Sequence, residues 1–235
     1  MTPTTETTSP RKTVGRAIPA RVADCLFVGV AALLPVMLCV YRLGIYADDW
    51  GLFAFFRAQG GRTTSDYFRL FYSLPVTHSR PVMDLYEAVL FRLFGTHPLG
   101  YHVVNSLVFV TSACLFYLSL SLIMRERLLA VSIPLLFVVL PNYSSARFVP
   151  FAFMVGLSMA FFFLNLYALL KAAQGTKLWP VWTGITVAAL VISGLAYEVA
   201  LPVFAFSMLV VWYLERKKPV AARTRPRTVA LIFAS

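Results

Sequence analysis

The sequence predicts an all-α, polytopic integral membrane protein. It reads as six spans plus an incomplete seventh, with interfacial helices in the first extracytoplasmic loop. Three observations predict this class. Of the 235 residues, 59% are apolar and 13% charged, against roughly 45–50% and about 25% in a soluble domain. The apolar residues fall into runs close to the roughly 20 residues that cross a bilayer as a helix. The net charge of +11 comes mostly from short basic stretches between those runs, where membrane orientation needs it. A chain this short cannot hide so much apolar surface from water. A soluble enzyme, a secreted disulfide scaffold and a disordered chain are therefore excluded. The placement of the cations also argues against a nucleic-acid partner. Cys25, Cys39 and Cys114 lie inside apolar runs without metal-like spacing and read as small hydrophobes.

Residues 1–21 are Thr/Ser-rich, carry Arg11, Lys12 and Arg16, and read as a disordered cytoplasmic tail. The first span is expected over Val22–Ile45, with Asp24 near its start, Arg42 near its end, and Pro35 bending but not breaking it. Residues 46–101 form the longest polar interval. Inside it, Ser65–Tyr72 is a short aromatic helix. Val82–Phe94 is the clearer one: Val82, Leu85, Tyr86, Val89, Leu90 and Leu93 share one face, with Asp84, Glu87 and Arg92 opposite. Such a helix lies in the membrane interface rather than across it.

The second span is His102–Met124, stopped by Arg125, Glu126 and Arg127. The third, Leu128–Pro141, is short for a bilayer. After the polar link Asn142–Arg147 comes the fourth, Phe148–Leu170, then a turn over Lys171–Lys177. The fifth is Leu178–Ala196, Tyr197-Glu198 interrupts, and the sixth is Val199–Leu214. Residues 215–227 form a basic cytoplasmic loop, and residues 228–235 begin a further, truncated span.

With the amino terminus in the cytoplasm, 14 of the 21 Lys and Arg are cytoplasmic and 7 lie on the other side, which the positive-inside rule favours. All three histidines and five acidic residues (Asp48, Asp49, Asp66, Asp84, Glu87) then lie in or beside the first outer loop. Any chemistry faces away from the cytoplasm. The Arg-rich loops and short tail suggest a bacterial inner membrane.

Four constellations carry candidate chemistry. Asp48-Asp49-Trp50 directly follows the first span. Adjacent carboxylates at a membrane surface repel, which raises one pKa and gives a base for a hydroxyl nucleophile. A negative pair at the carboxyl end of a span would oppose its dipole, so a plain helix end gains nothing from it. In Arg80-Pro81, proline suits a first helical turn. The guanidinium can grip a phosphate bidentately, whether a substrate's or a lipid headgroup's. His102 and Asn105 share a helical face and either line a pocket under the loop or satisfy the interface. Glu198, alone in a long uncharged stretch, is either a site residue or the mark of a turn between spans.

In order and spacing, these motifs resemble the amino-terminal half of the GT-C superfamily. Its members are integral-membrane glycosyltransferases that use lipid-linked sugars, among them the protein O-mannosyltransferases and the aminoarabinose transferase of lipid A. The matching features are Tyr46-Ala47-Asp48-Asp49-Trp50 after the first span, Arg80-Pro81 through Phe94-Gly95, and His102 with Asn105. A short third span ending in Pro141 and Glu198-Val199-Ala200-Leu201-Pro202 complete them. The resemblance covers about residues 22–214, a single transmembrane module with its loop at 46–101. It implies inverting transfer of a sugar from a polyprenyl-phosphate donor to a glycan, lipid or protein acceptor. Asp48 would be the catalytic base, Asp49 its neighbour or alternate, and Arg80 or Arg147 the phosphate ligand. Some relatives need a divalent metal (Mg²⁺ or Mn²⁺) and others do not, and two adjacent carboxylates leave that open. Relatives commonly carry Lys-Glu where this chain has Tyr197-Glu198. They also have more spans and an extracytoplasmic tail, so a longer chain or a partner chain supplying the missing spans is expected. The alternatives are a transporter or flippase subunit and a non-enzymatic membrane assembly protein.

Overall fold

The computed structural model describes residues 19–46, 49–61, 63–75, 78–140, 153–175 and 177–217. Among these residues every regular element is helical. Helix α1 (Ala20–Met37) is followed by a 3₁₀ turn at Val40–Arg42. Three short helices come next: α2 (Asp49–Gln59), α3 (Thr64–Tyr72) and α4 (Pro81–Phe94). Then follow α5 (Pro98–Ile123), α6 (Arg127–Val139), α7 (Met154–Ala173), α8 (Trp179–Ala196), a 3₁₀ turn at Glu198–Ala200, and α9 (Leu201–Lys217).

Among the described residues five segments are long and apolar enough to cross a membrane: Ala20–Arg42, Pro98–Ile123, Met154–Ala173, Trp179–Ala196 and Glu198–Arg216. They correspond to the expected first, second, fourth, fifth and sixth spans. The expected third is α6, whose 13 residues reach only about 20 Å at 1.5 Å per residue, against a hydrocarbon core of about 30 Å. The tail at 1–18, the link Asn142–Arg147 and the apolar run at 228–235 lie outside the described residues.

The first helix ends earlier than expected. Pro35 lies within it, and regular helix stops at Met37. Proline supplies no N–H to the ladder and crowds the turn before it, and the chain continues as a 3₁₀ turn rather than as helix to Ile45.

Helices α7 and α8 form the tightest pair. Small polar residues let them approach and bond across the contact. The Ser158 hydroxyl donates to the Tyr197 carbonyl (2.9 Å), and the Ser193 hydroxyl donates to the Ser158 carbonyl (2.8 Å). The Asn165 amide donates to the Thr186 carbonyl (2.8 Å). On its other side α7 meets α5, with Phe116 stacked on Phe163 at 4.4 Å. Helix α9 returns along α7 through Phe204 on Phe162. Helix α1 packs on α5 and α6.

At the end of the bundle where α1 begins, a polar clamp ties three helices. The Arg127 guanidinium donates to both Asp24 oxygens, at 2.9 and 2.6 Å, and the Tyr117 hydroxyl donates to the same carboxylate at 2.9 Å. Asp24 on α1 is buried, so its charge persists only because these donors replace water. Arg127 therefore does more than stop the second span: it opens α6 and holds it to α1.

The opposite end is capped by α2, α3 and α4 around an aromatic core. Phe53, Phe56, Phe71, Phe91 and Tyr101 are all buried. Phe56 lies 3.9 Å from Phe71 and 5.5 Å from Phe91 between ring centroids. The cap joins α5 through a tight turn in which Gly95 takes φ +56° and accepts a hydrogen bond from the Tyr101 hydroxyl (2.8 Å). A side chain at Gly95 would be strained in that backbone conformation.

Helix α2 was not anticipated. Its buried face is only Asp49, Phe53 and Phe56, two aromatics and an acid. That is too brief an apolar stripe to separate from the loop by period alone.

Candidate functional site

Helix α4 turns its two acids inward. Met83, Asp84, Glu87, Ala88, Leu90 and Phe91 are buried, while Leu85, Val89 and Leu93 are 50%, 38% and 67% exposed. The periodicity gives the two faces but not which of them packs on the protein, and Leu90 of the apolar stripe is itself buried. In a chain whose surroundings include lipid, the apolar stripe can face outward. The carboxyls, three residues apart on one face, then point into the protein.

Asp49 is the first residue of α2 and is fully buried, with its backbone N–H bonded to the Tyr46 carbonyl at 3.1 Å. This corrects the dipole argument. Asp49 sits at the amino end of a new helix, where a negative charge is favoured, rather than at the carboxyl end of the first span. Asp48 lies outside the described residues.

Asp49 and Asp84 stand close enough to Glu87 for their charges to act on it. Burial, and then those two charges, push the Glu87 carboxyl well above its ordinary range. Neither Glu87 oxygen has a hydrogen-bond partner among the described residues. The neighbouring Tyr86 phenol is likewise pushed up by burial and by Glu87. Burial and the two neighbouring carboxyls thus favour the neutral, proton-carrying form of Glu87 in a water-poor setting. The sequence signal for it is the i, i+3 acid pair opposite an apolar stripe.

Arg80 and Glu198, 118 residues apart, meet at the rim of this cluster. The Arg80 Nε and Nη2 donate to the two Glu198 oxygens at 3.2 and 2.8 Å. The guanidinium lies 4.4 Å over the Tyr197 ring, and Nη1 points to the Met154 sulfur at 3.5 Å. Arg80 immediately precedes α4, and Pro81 fixes its first turn. Glu198 sits in the 3₁₀ turn between α8 and α9. The Glu198 hydrogen bonds raise the Arg80 pKa further, and the Asp84 charge adds to that. Exposure falls steadily inward. The Glu198 side chain is 54% exposed and that of Arg80 16%, while Asp84, Glu87 and Asp49 are essentially closed to solvent.

His102 and Asn105 are buried in the first turns of α5. His102 Nε2 lies 3.0 Å from the Gly44 carbonyl and donates to it, tying α5 to the chain leaving α1. The Tyr86 hydroxyl donates to Asn105 Oδ1 at 2.5 Å, tying α5 to α4. The His102 Nδ1 and the Asn105 Nδ2 have no partner among the described residues.

The structure therefore brings Arg80 and Glu198 into direct contact and sets Asp49, His102 and Asn105 in the same end of the bundle. Arg147 lies outside the described residues. Among the described residues no three of His, Cys, Asp and Glu are placed to share a metal ion. Two apolar clefts, one between α1 and α5 and one between α5 and α9, lie toward the opposite end of the bundle. Chemically, the rim offers a cation and a displaceable carboxylate, and the interior offers carboxyls that can hold a proton. No protein-family model, curated protein or solved structure matches the chain.

Proposed function

We propose that this chain is a GT-C-like membrane glycosyltransferase module that transfers a sugar from a polyprenyl-phosphate donor to an extracytoplasmic acceptor with inversion. The observation that carries the reading is the meeting of Arg80, Tyr197 and Glu198 above the buried Asp49, Asp84 and Glu87. A cationic fork able to grip a phosphate, set beside a cluster of carboxyls, is what such a transfer needs.

In this reading five long helices and the short α6 make six spans. Helices α2–α4 lie in the interface on the extracytoplasmic side, and the amino terminus is cytoplasmic, as the 14-to-7 division of cations supports. The membrane is a bacterial inner membrane.

The acceptor hydroxyl loses its proton to the Asp48 carboxylate. Its oxygen attacks the anomeric carbon, and the bond from that carbon to the phosphate oxygen breaks, so that polyprenyl phosphate leaves with the electron pair. Asp49, fully buried, does not touch substrate; as the next residue in the chain it adds its charge to the setting of Asp48. Arg80 holds the departing phosphate. Its fork is engaged by Glu198 here, so a donor phosphate takes the place of that carboxylate.

The test is transfer in proteoliposomes holding polyprenyl-phosphate sugars, read as released polyprenyl phosphate. Loss of a general base costs about 10²–10⁴-fold. Asp48→Asn with Asp49→Asn should therefore abolish measurable transfer while membrane insertion persists. Undiminished transfer in that variant sinks the proposal. A proton-coupled transporter is the second reading, favoured by the buried, protonatable Glu87. It predicts solute uptake into the same vesicles that Glu87→Gln abolishes.

A further inference from the structure

We infer that the groove between α1 and α5 is a binding site for one acyl chain of an anionic phospholipid whose headgroup is held by Arg21. The groove has a volume of about 470 Å³ and is lined by apolar side chains apart from Arg21 at its end. It runs along α1 from Arg21 to Leu33. That is twelve residue steps, or about 18 Å at 1.5 Å per residue. One leaflet of hydrocarbon is about 15 Å deep, half of the roughly 30 Å core. The groove is therefore as long as one leaflet is thick, and its charged end falls where a headgroup lies.

Its floor is concave because small residues meet there. The nearest neighbours of a Cβ placed at Gly29 would be the Val110 side chain at 3.4 Å and the Cys114 sulfur at 3.6 Å. The Cys114 thiol rests against the Cys25 carbonyl at 3.4 Å. Leu26 and Val30 form the outer wall and are 57% and 59% exposed. A chain lying between that wall and α5 touches protein along its length, which an annular lipid on a convex helix does not.

The sign of the headgroup follows from the charge at that end. Arg21 caps the groove, and Arg125 caps the similar cleft between α5 and α9. Helix α6 begins beside them with Arg127, whose ion pair to Asp24 fixes it at the same level as the start of α1. Basic residues gathered at one level favour an anionic surface. A zwitterionic lipid would fill the groove equally well but would gain less at Arg21.

The experiment is native mass spectrometry of the full chain released from nanodiscs containing phosphatidylglycerol and phosphatidylcholine with identical acyl chains. A single retained phosphatidylglycerol is expected, favoured over phosphatidylcholine about fivefold, the effect of one cation near the headgroup. Arg21→Gln should remove that preference, and Arg125→Gln should leave the Arg21-dependent part in place. Leu26→Trp, at an exposed position where folding is not at risk, should block the groove and lose the retained lipid. Equal retention of both lipids by the native chain overturns the proposal. So does a preference that survives Arg21→Gln. A lipid-independent dimer that Leu26→Trp disrupts would instead show that a second copy covers the groove.

Discussion

Replacing Glu87 by Gln should remove a pH dependence from the stability of the α2–α4 cap. Glu87 is 1% exposed, and its carboxyl oxygens have no hydrogen-bond partner among the described residues. Burial first, then the charges of Asp49 and Asp84, raise its folded-state pKa well above the 4.5 of a free carboxyl. Between 4.5 and that raised value the folded protein holds a proton that the unfolded chain has released. Stability therefore falls as pH rises across the window, by about 1.4 kcal/mol for each pH unit. Against a total of about 5–15 kcal/mol for a folded domain, even one such unit is measurable. Gln has the same shape and cannot ionise, so its contribution does not change with pH. Thermal unfolding in nanodiscs, followed from pH 4.5 to 8 by helical circular dichroism, should give the native chain a steeper decline than Glu87→Gln. The variant should be the more stable at pH 8. Parallel curves would refute the reasoning. A variant that loses most stability at high pH would show instead that Glu87 is ionised and paired.

Phe56→Ala should cost about 3–5 kcal/mol, because it empties the centre of an aromatic core and leaves Phe71 and Phe91 without their partner. Hydrogen exchange should show faster exchange confined to α2–α4. Gly95→Ala should destabilise by about 1–3 kcal/mol, since a side chain at φ +56° is strained, read as a lower melting temperature with unchanged oligomeric state. Asp24→Asn and Arg127→Gln should each lower the melting temperature, and the double variant should lose less than the two together. Additive losses would mean that the clamp between α1 and α6 contributes no coupling.

Much of the architecture was legible in the chain because membrane spans are an unusually simple code. A run of about 20 apolar residues can satisfy its backbone in hydrocarbon only as a helix. The expected second, fifth and sixth spans therefore agree with α5, α8 and α9 to within a few residues. The Val82–Phe94 helix was legible for the same kind of reason, since proline opens it and a positive-φ glycine closes it. The ends of α1 were less legible, because a proline inside an apolar run permits either a bend or a stop. Helix α2 was hidden, because two phenylalanines and one buried acid leave no stripe to read.

The candidate site divides in the same way. The sequence by itself determined which residues are costly enough to need a reason: Asp49, Arg80, His102, Asn105 and Glu198. It determined this because charge and polarity in an apolar chain stand out regardless of fold. It did not determine which way α4 turns. Periodicity gives two faces but no direction, and with lipid as a surrounding medium the apolar stripe loses its usual meaning of inward. Only the tertiary structure decided that Asp84 and Glu87 face in, because only packing against α2, α3 and α5 says where the interior is. Only it joined Arg80 to Glu198 across 118 residues, since that contact depends on how α8 and α9 return to the cap, and no local pattern records a return path.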